Sequence, residues 1–206
     1  MIGIVSDTLF MNHDTGGYHP ESPLRIQYLH SLFAGSDDRQ ILLVDPVAAS
    51  AEDIMLNHGR SYIEMVSRTT RSDSLVDLDP DTVCSPESYD DALRAAGSLI
   101  EPTRMAIDGQ IDSGFACVRP PGHHARKDDA MGFCLFNNIA VAAHKAIRDF
   151  GIEKVAIIDF DVHHGNGTQE SFYSDNRVLY FSTHQYPFYP GTGAVSETGR
   201  GEGAGY

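Results

Sequence analysis

Short apolar runs punctuate this chain at intervals wide enough to hold a helix between them. Ile2–Val5, Ile41–Val44, Phe115–Val118, Val155–Phe160 and Val178–Ser182 are each too short to be helices of their own, which predicts buried strands. The segments between them carry helical spacing. Ser22 followed by Pro23 predicts a helix start with proline at the first helical position. Leu24, Tyr28, Leu29, Leu32 and Phe33 predict its apolar stripe, and Gly35 predicts its end. Ser85-Pro86 predicts a second start by the same device, with Tyr89, Leu93, Ala96 and Ile100 on one face. A third helix is expected from about Asn137 to Asp149, carrying Ile139, Ala142, Ala143 and Ile147. Strands alternating with helices predict an α/β fold, a parallel sheet covered by helices on both faces. No internal repeat or linker interrupts the pattern, and the glycine-rich stretch from Gly199 to Gly205 is the one segment expected to be loose.

Composition narrows the classes. A chain of 206 residues, 41% hydrophobic and 21% charged, is long enough for one globular domain with a core. The formal net charge of −14 argues against non-specific binding to nucleic acid, whose phosphates would be repelled. The same acidity suits a cationic ligand, and equally it suits nothing more than a solvated surface. Met1-Ile2-Gly3-Ile4 lacks the basic start of a secretory signal, and no apolar run approaches the roughly 18 residues that span a bilayer. Cys84, Cys117 and Cys134 form no paired framework, and Cys117 and Cys134 sit in apolar surroundings as small core residues. A cytoplasmic, reduced protein is the expectation.

Candidate chemistry concentrates in two histidine doublets. The first lies in Arg119-Pro120-Pro121-Gly122-His123-His124-Ala125. The second lies in Asp159-Phe160-Asp161-Val162-His163-His164-Gly165-Asn166-Gly167. Both follow predicted strands, and in parallel α/β sheets ligands bind at the carboxyl ends of strands. If strand geometry continues past Ile158, then Asp159, Asp161 and His163 point the same way. A carboxylate and an imidazole so placed form half of a metal site, with the first doublet available as bases beside it. That is the chemistry of metal-assisted hydrolysis.

Read together, these runs resemble the histone deacetylase family, which includes acetylpolyamine amidohydrolases and acetoin-utilisation proteins. Supporting blocks stand in family order: His19-Pro20-Glu21 with Arg25, Met131-Gly132-Phe133-Cys134-Leu135-Phe136-Asn137-Asn138-Ile139-Ala140, and Phe188-Tyr189-Pro190-Gly191-Thr192-Gly193. The resemblance implies an arginase/deacetylase-like fold with its C-terminal part absent, the chain being the N-terminal portion of one deacetylase domain.

The same resemblance assigns roles. Asp161 and His163 match the first two ligands of a catalytic Zn²⁺. His124 is implied as the general base that later protonates the leaving amine, held by Asn166; His123 is implied as support for transition-state charge, held by Asp159. An amide partner orients a ring without adding charge, whereas a carboxylate favours the imidazolium, so His124 is expected to be neutral more often than His123. Asp159, Asp161, His163 and Ser182 match positions around a structural monovalent cation, K⁺. Phe133 and Tyr189 match the aromatic walls of the acyl-lysine channel, with Phe188 the alternative to Tyr189, and Gly132 permits close backbone approach. Arg25 matches an arginine near the acetate exit, with a surface helix arginine the competing expectation. Asp79 or Asp81, on a polar loop, could hold the substrate backbone. His58, His144 and His184 are expected to be structural.

The family's third metal ligand, a second aspartate, and its carbonyl-polarising tyrosine fall beyond Tyr206. The implied function is zinc-dependent hydrolysis of an acetylated amine, the partner being an acetylated lysine peptide or an acetylpolyamine, with no nucleic-acid or membrane partner. Three alternatives stand beside it: a manganese ureohydrolase of the arginase group, a catalytically incomplete relative that binds acylated ligands without turnover, and a fragment of a longer enzyme.

Overall fold

A computed structural model describes residues 1–205 of the chain. Strand β1 (Ile2–Ser6) lies between β2 (Ile41–Val44) and β5 (Ser113–Cys117), parallel to both, with Ile4 opposite Leu43 on one side and Phe115 on the other. Ile4 and Val5 point to opposite faces of this sheet and both are buried, so both faces are covered. A second parallel pair, β6 (Val155–Asp159) and β7 (Val178–Ser182), sets Asp159 level with Ser182 at the carboxyl ends of its strands. A small antiparallel hairpin, β3 (Val76–Asp79) and β4 (Thr82–Cys84), stands apart from the two sheets.

Helices fill the space between. Helix α1 (Leu24–Ala34) places Ile26 against Val5, Phe10 and Cys117. Short α2 (Ala51–Ile54) and α3 (Arg60–Arg68) join the long α4 (Ser88–Ile107) around Leu135 and Phe136. Helix α5 (Asn138–Asp149) bridges two cores. Its Val141 faces that cluster, whereas Ala140 and Ala143 face Ile157, Val178 and Phe172 of α6 (Asn166–Phe172).

Four expectations are corrected. The stripe on α1 is not the predicted one: Leu24, Tyr28 and Leu32 face outward, and Ile26 with Leu29 and Phe33 faces the core. Apolar residues occur all round this helix, so spacing alone could not choose a face. Helix α4 starts at Ser88 rather than at Ser85-Pro86, because the Ser88 hydroxyl accepts from the Ser85 N–H at 2.7 Å and closes a turn ahead of the helix. Asp79 belongs to a strand, not a loop. The glycine-rich end is packed: Gly203 is buried against Ser174 and Asp175, and the Arg200 N–H donates to the Tyr173 carbonyl at 2.7 Å.

The predicted strands are present, but two are less buried than their composition suggests. Among the described residues β5 pairs only with β1, and β6 only with β7, so each keeps an unpaired edge there. A cleft of about 400 Å³ between them is lined by Ala116, Val118, Ile157 and Ile158. Phe115, Ile158 and Phe160 are exposed because no described element covers them.

Candidate active site

The end of β6 organises the site. Asp159 accepts three hydrogen bonds: from His123 Nδ1 at 2.9 Å, from the Tyr180 hydroxyl at 2.9 Å, and from the Asp161 N–H at 3.1 Å. Burial raises its pKa, but the His123 hydrogen bond and charge, helped by the other donors, prevail and hold the carboxyl below its ordinary range. Gly165 closes against this cluster. A Cβ there would stand 2.5 Å from both Asp159 Oδ2 and Tyr180 Oη, so no larger residue fits.

His124 lies beside His123, ring centroids 4.0 Å apart, and is buried. Its Nδ1 is 2.8 Å from Asn166 Oδ1, while the Asn166 amide nitrogen faces Met131 Sδ at 3.4 Å. The amide oxygen can only accept, so His124 Nδ1 carries the proton and Nε2 keeps a lone pair. Burial, then repulsion from His123, depresses its pKa to about 4. His124 is therefore a neutral imidazole at physiological pH, the protonation state a general base requires. Gly132, in the left-handed region at φ 57°, lets the chain pass where a Cβ would meet His124 Cδ2 at 2.4 Å.

Asp161 and His163 follow on the same rim and are half exposed. His163 Nδ1 lies 3.2 Å from Asp161 Oδ1, and His123 Nε2 lies 4.0 Å from the same oxygen. A carboxylate and an imidazole side by side are the donor chemistry of zinc, which takes three protein ligands in catalytic sites. Among the described residues no group of three or more His, Cys, Asp or Glu side chains is arranged to hold a metal ion, so the pair fits zinc as two ligands of an incomplete set.

Tyr189 sets its ring edge-on to both His124 and His163, at 5.1 and 5.8 Å, whereas Phe188 is 60% exposed and touches neither histidine. Phe133, itself at φ 70°, rests edge-on against His19 at 4.8 Å. Its N–H donates to Thr82 Oγ1 at 3.0 Å, and the Gly132 N–H donates to Asp81 Oδ1 at 3.2 Å. Of the two candidate aspartates, Asp79 and Asp81, Asp81 is thus the one bonded to the Gly132-Phe133 segment. Burial and its neighbour Asp79 push the Asp81 carboxyl up.

Other candidates lie around the cluster. Ser182 reaches His184 Nδ1 at 2.9 Å, and His184 Nε2 donates to the Gly193 carbonyl at 3.0 Å. His58 holds the Asn137 N–H at 2.9 Å, and His144 packs on Phe172. Arg25, 64% exposed, lies 3.6 Å from Glu21. Tyr180 was missed by sequence reasoning. It shares a face with Ser182 on β7, but its pairing with Ile157, two residues before Asp159, is set by strand register that no single run records.

Comparison with known proteins identifies the family. A family model described as the histone deacetylase domain matches residues 19–206, and the chain belongs to that family. A probable deacetylase of Archaeoglobus fulgidus is 38% identical over 99% of this chain and 57% of its own length. Histone deacetylase HDA1 of Saccharomyces cerevisiae is 38% identical over 91% of this chain and 30% of its own. The crystal structure of the HDA15 HD domain superposes with a TM-score of 0.94 at 36% identity, covering 100% of this chain and 60% of that one. The fold is thus the arginase/deacetylase α/β fold, and the chain spans less than two thirds of each of these relatives.

Proposed function

We propose that this chain forms part of a zinc-dependent deacetylase that hydrolyses an acetylated amine to acetate and free amine. The observation that carries this reading is His124, a buried neutral imidazole whose Nδ1–H is tied to Asn166, whose Nε2 has no hydrogen-bond partner among the described residues, and whose ring stands 6.0 Å from that of His163. Asp161 and His163 would hold the metal, which when bound lowers the pKa of a water and polarises the acetyl carbonyl. His124 Nε2 takes a proton from the attacking water and returns it to the nitrogen of the leaving amine, so the ring ends as it began. His123, paired through Nδ1 with Asp159, supports negative charge as it develops on the carbonyl oxygen. Phe133 and Tyr189 provide the apolar walls along which an extended acyl-amine stem would lie. The cation role of Asp159, Asp161, His163 and Ser182 and the acetate-exit role of Arg25 belong to this same reading.

A ureohydrolase site with paired metals is less well served. His164 is spent on Thr192 and Gln169, both at 2.8 Å, and Asn166 is spent on His124. The incomplete ligand set does favour one second reading, that this chain by itself binds an acylated ligand without turning it over. The zinc-loaded chain should be assayed for acetate release from an acetyl-lysine peptide and from an acetylpolyamine. Turnover abolished by a chelator supports the deacetylase, and the ratio of the two rates identifies the substrate class. Tight hydroxamate binding without turnover supports the second reading, and neither binding nor turnover refutes both.

A further inference from the structure

Arg119 takes no part in the chemistry above, yet it heads the histidine-doublet segment and is 1% exposed. A buried guanidinium is costly unless its donors find acceptors, and here they do. Nε and Nη2 donate to the two carboxylate oxygens of Glu21 at 2.5 and 2.6 Å, Nη1 donates to the Phe10 carbonyl at 2.9 Å, and Nη2 also reaches the His13 carbonyl at 3.0 Å. Glu21 is equally buried, with His13 Nε2 3.7 Å away, and His13 Nδ1 meets Ser88 at 2.6 Å. One arginine thus gathers the segment from Phe10 to Glu21 and, through His13, the first residue of α4.

The four residues from this anchor to His123 have no slack. Pro120 and Pro121 have fixed φ angles, and the Pro120 carbonyl accepts from Asn138 Nδ2 at 3.1 Å. Gly122 lies so close to α5 that a Cβ would stand 2.7 Å from the Asn138 nitrogen. Beyond it, the His123 carbonyl accepts from the Thr168 N–H at 3.1 Å, and the Ala125 carbonyl accepts from Asn137 Nδ2 at 3.3 Å. The doublet is pinned on its far side by neutral hydrogen bonds and on its near side by a bidentate ion pair. Such a fork fixes direction as well as distance.

We propose that Glu21 and Arg119 are positioning residues: their buried fork sets where His123 and His124 stand, so that Nδ1 of each ring meets its partner. Only the kinetic arm of the test rests on the deacetylase reading.

The test separates position from stability, since replacing a buried ion pair by apolar side chains is often neutral for folding whereas removing one partner is not. The double variant Glu21→Leu with Arg119→Met removes both charges together and should melt above either single variant, though below the parent, because the Phe10 and His13 carbonyls lose a donor. Its His123 and His124 Nδ1–H proton resonances should nevertheless be broadened or shifted, and turnover should fall about 10- to 100-fold with KM little changed. Arg119→Lys, which keeps the charge but loses the fork, should show the same resonance changes and serves if the double variant does not fold. Parent-like resonances in a folded variant would overturn the proposal, as would turnover that falls only with the folded fraction. If the parent shows no turnover, the deacetylase reading of the isolated chain fails while the resonances still decide the positioning role.

Discussion

What a histidine nitrogen can do is decided by the partner of the other nitrogen. His124 is buried beside His123, and these two effects depress its pKa to about 4 against the hydrogen bond to Asn166, which acts the other way but fixes which nitrogen carries the proton. Asn166→Asp keeps the shape and adds a negative charge at the Nδ1 partner, which stabilises the imidazolium. The acid limb of the kcat/KM profile should then move up by about one to three pH units, and a limb that stays in place would remove His124 from the role of base. Asp159 offers a second test. Tyr180→Phe deletes one of its three donors without changing ring packing, and the expected loss is about 1 kcal/mol in denaturant unfolding. Asp159, Asp161 and His163 were legible at the residue level because they fall within one short run and their spacing is local, whereas Asn166 and the partners of the first doublet came from the family resemblance. Tyr180 was not legible, because its place beside Asp159 comes from the register of β7 on β6. The choice between Tyr189 and Phe188 was open for a similar reason: adjacent residues differ only in which way the turn aims them.

Elements were legible where a pattern is strong and lost where a neighbour decides. Every expected strand is found within about two residues, since short apolar runs have few alternatives. The β3–β4 hairpin was missed although Val76-Asp77-Leu78-Asp79 alternates as a strand does, because strands of four and three residues give that signal little length, and the buried face of α1 was missed because its apolar residues surround it. Helix α4 carries a residue that propensity would forbid. Gly97 stands mid-helix and buried, and a Cβ there would lie 2.1 Å from the Val47 carbonyl oxygen and 2.5 Å from the Ala49 nitrogen. Alanine is favoured over glycine inside a helix by about 1 kcal/mol, yet here the obstacle is backbone that cannot swing away. The Ala49 N–H is bonded to the Leu93 carbonyl at 2.9 Å, one turn earlier on the same helix. Gly97→Ala should therefore destabilise, by about 1–3 kcal/mol, as a lowered melting temperature. A raised one would mean that residues 47–49 move freely from α4.

At the scale of the whole molecule, the parallel sheet is read correctly from strand and helix alternation, whereas its division into β2-β1-β5 and β6-β7 is not, since strand order is written in no single run. The same long-range packing controls how the molecule meets acid. His13 and His58, like His124, are depressed by burial to about 4, against an ordinary value of 6.5. In His58 the geometry agrees with that direction: Nε2 accepts the Asn137 N–H at 2.9 Å, and a proton there would leave that N–H without an acceptor. Between pH 6.5 and 4 the unfolded chain protonates these rings and the folded chain does not, so stability falls as pH falls through that window. Asp91 acts in the opposite sense. Burial raises it to about 6, the folded chain takes up its proton first, and stability rises over much the same range. These three histidines, joined by His144 and His164, which burial also lowers, outweigh Asp91 and the raised Asp81, so the melting temperature should drop between about pH 6.5 and 4, each of the first three contributing about 3 kcal/mol. His58→Gln isolates one term, because its amide can accept from Asn137 and donate to Lys127 at any pH. The variant should unfold with a pH dependence shallower by about 3 kcal/mol across that window. A slope equal to the parent's would show that His58 is protonated in the folded state, and that α5, with the doublet segment its Asn137 holds, tolerates the lost hydrogen bond.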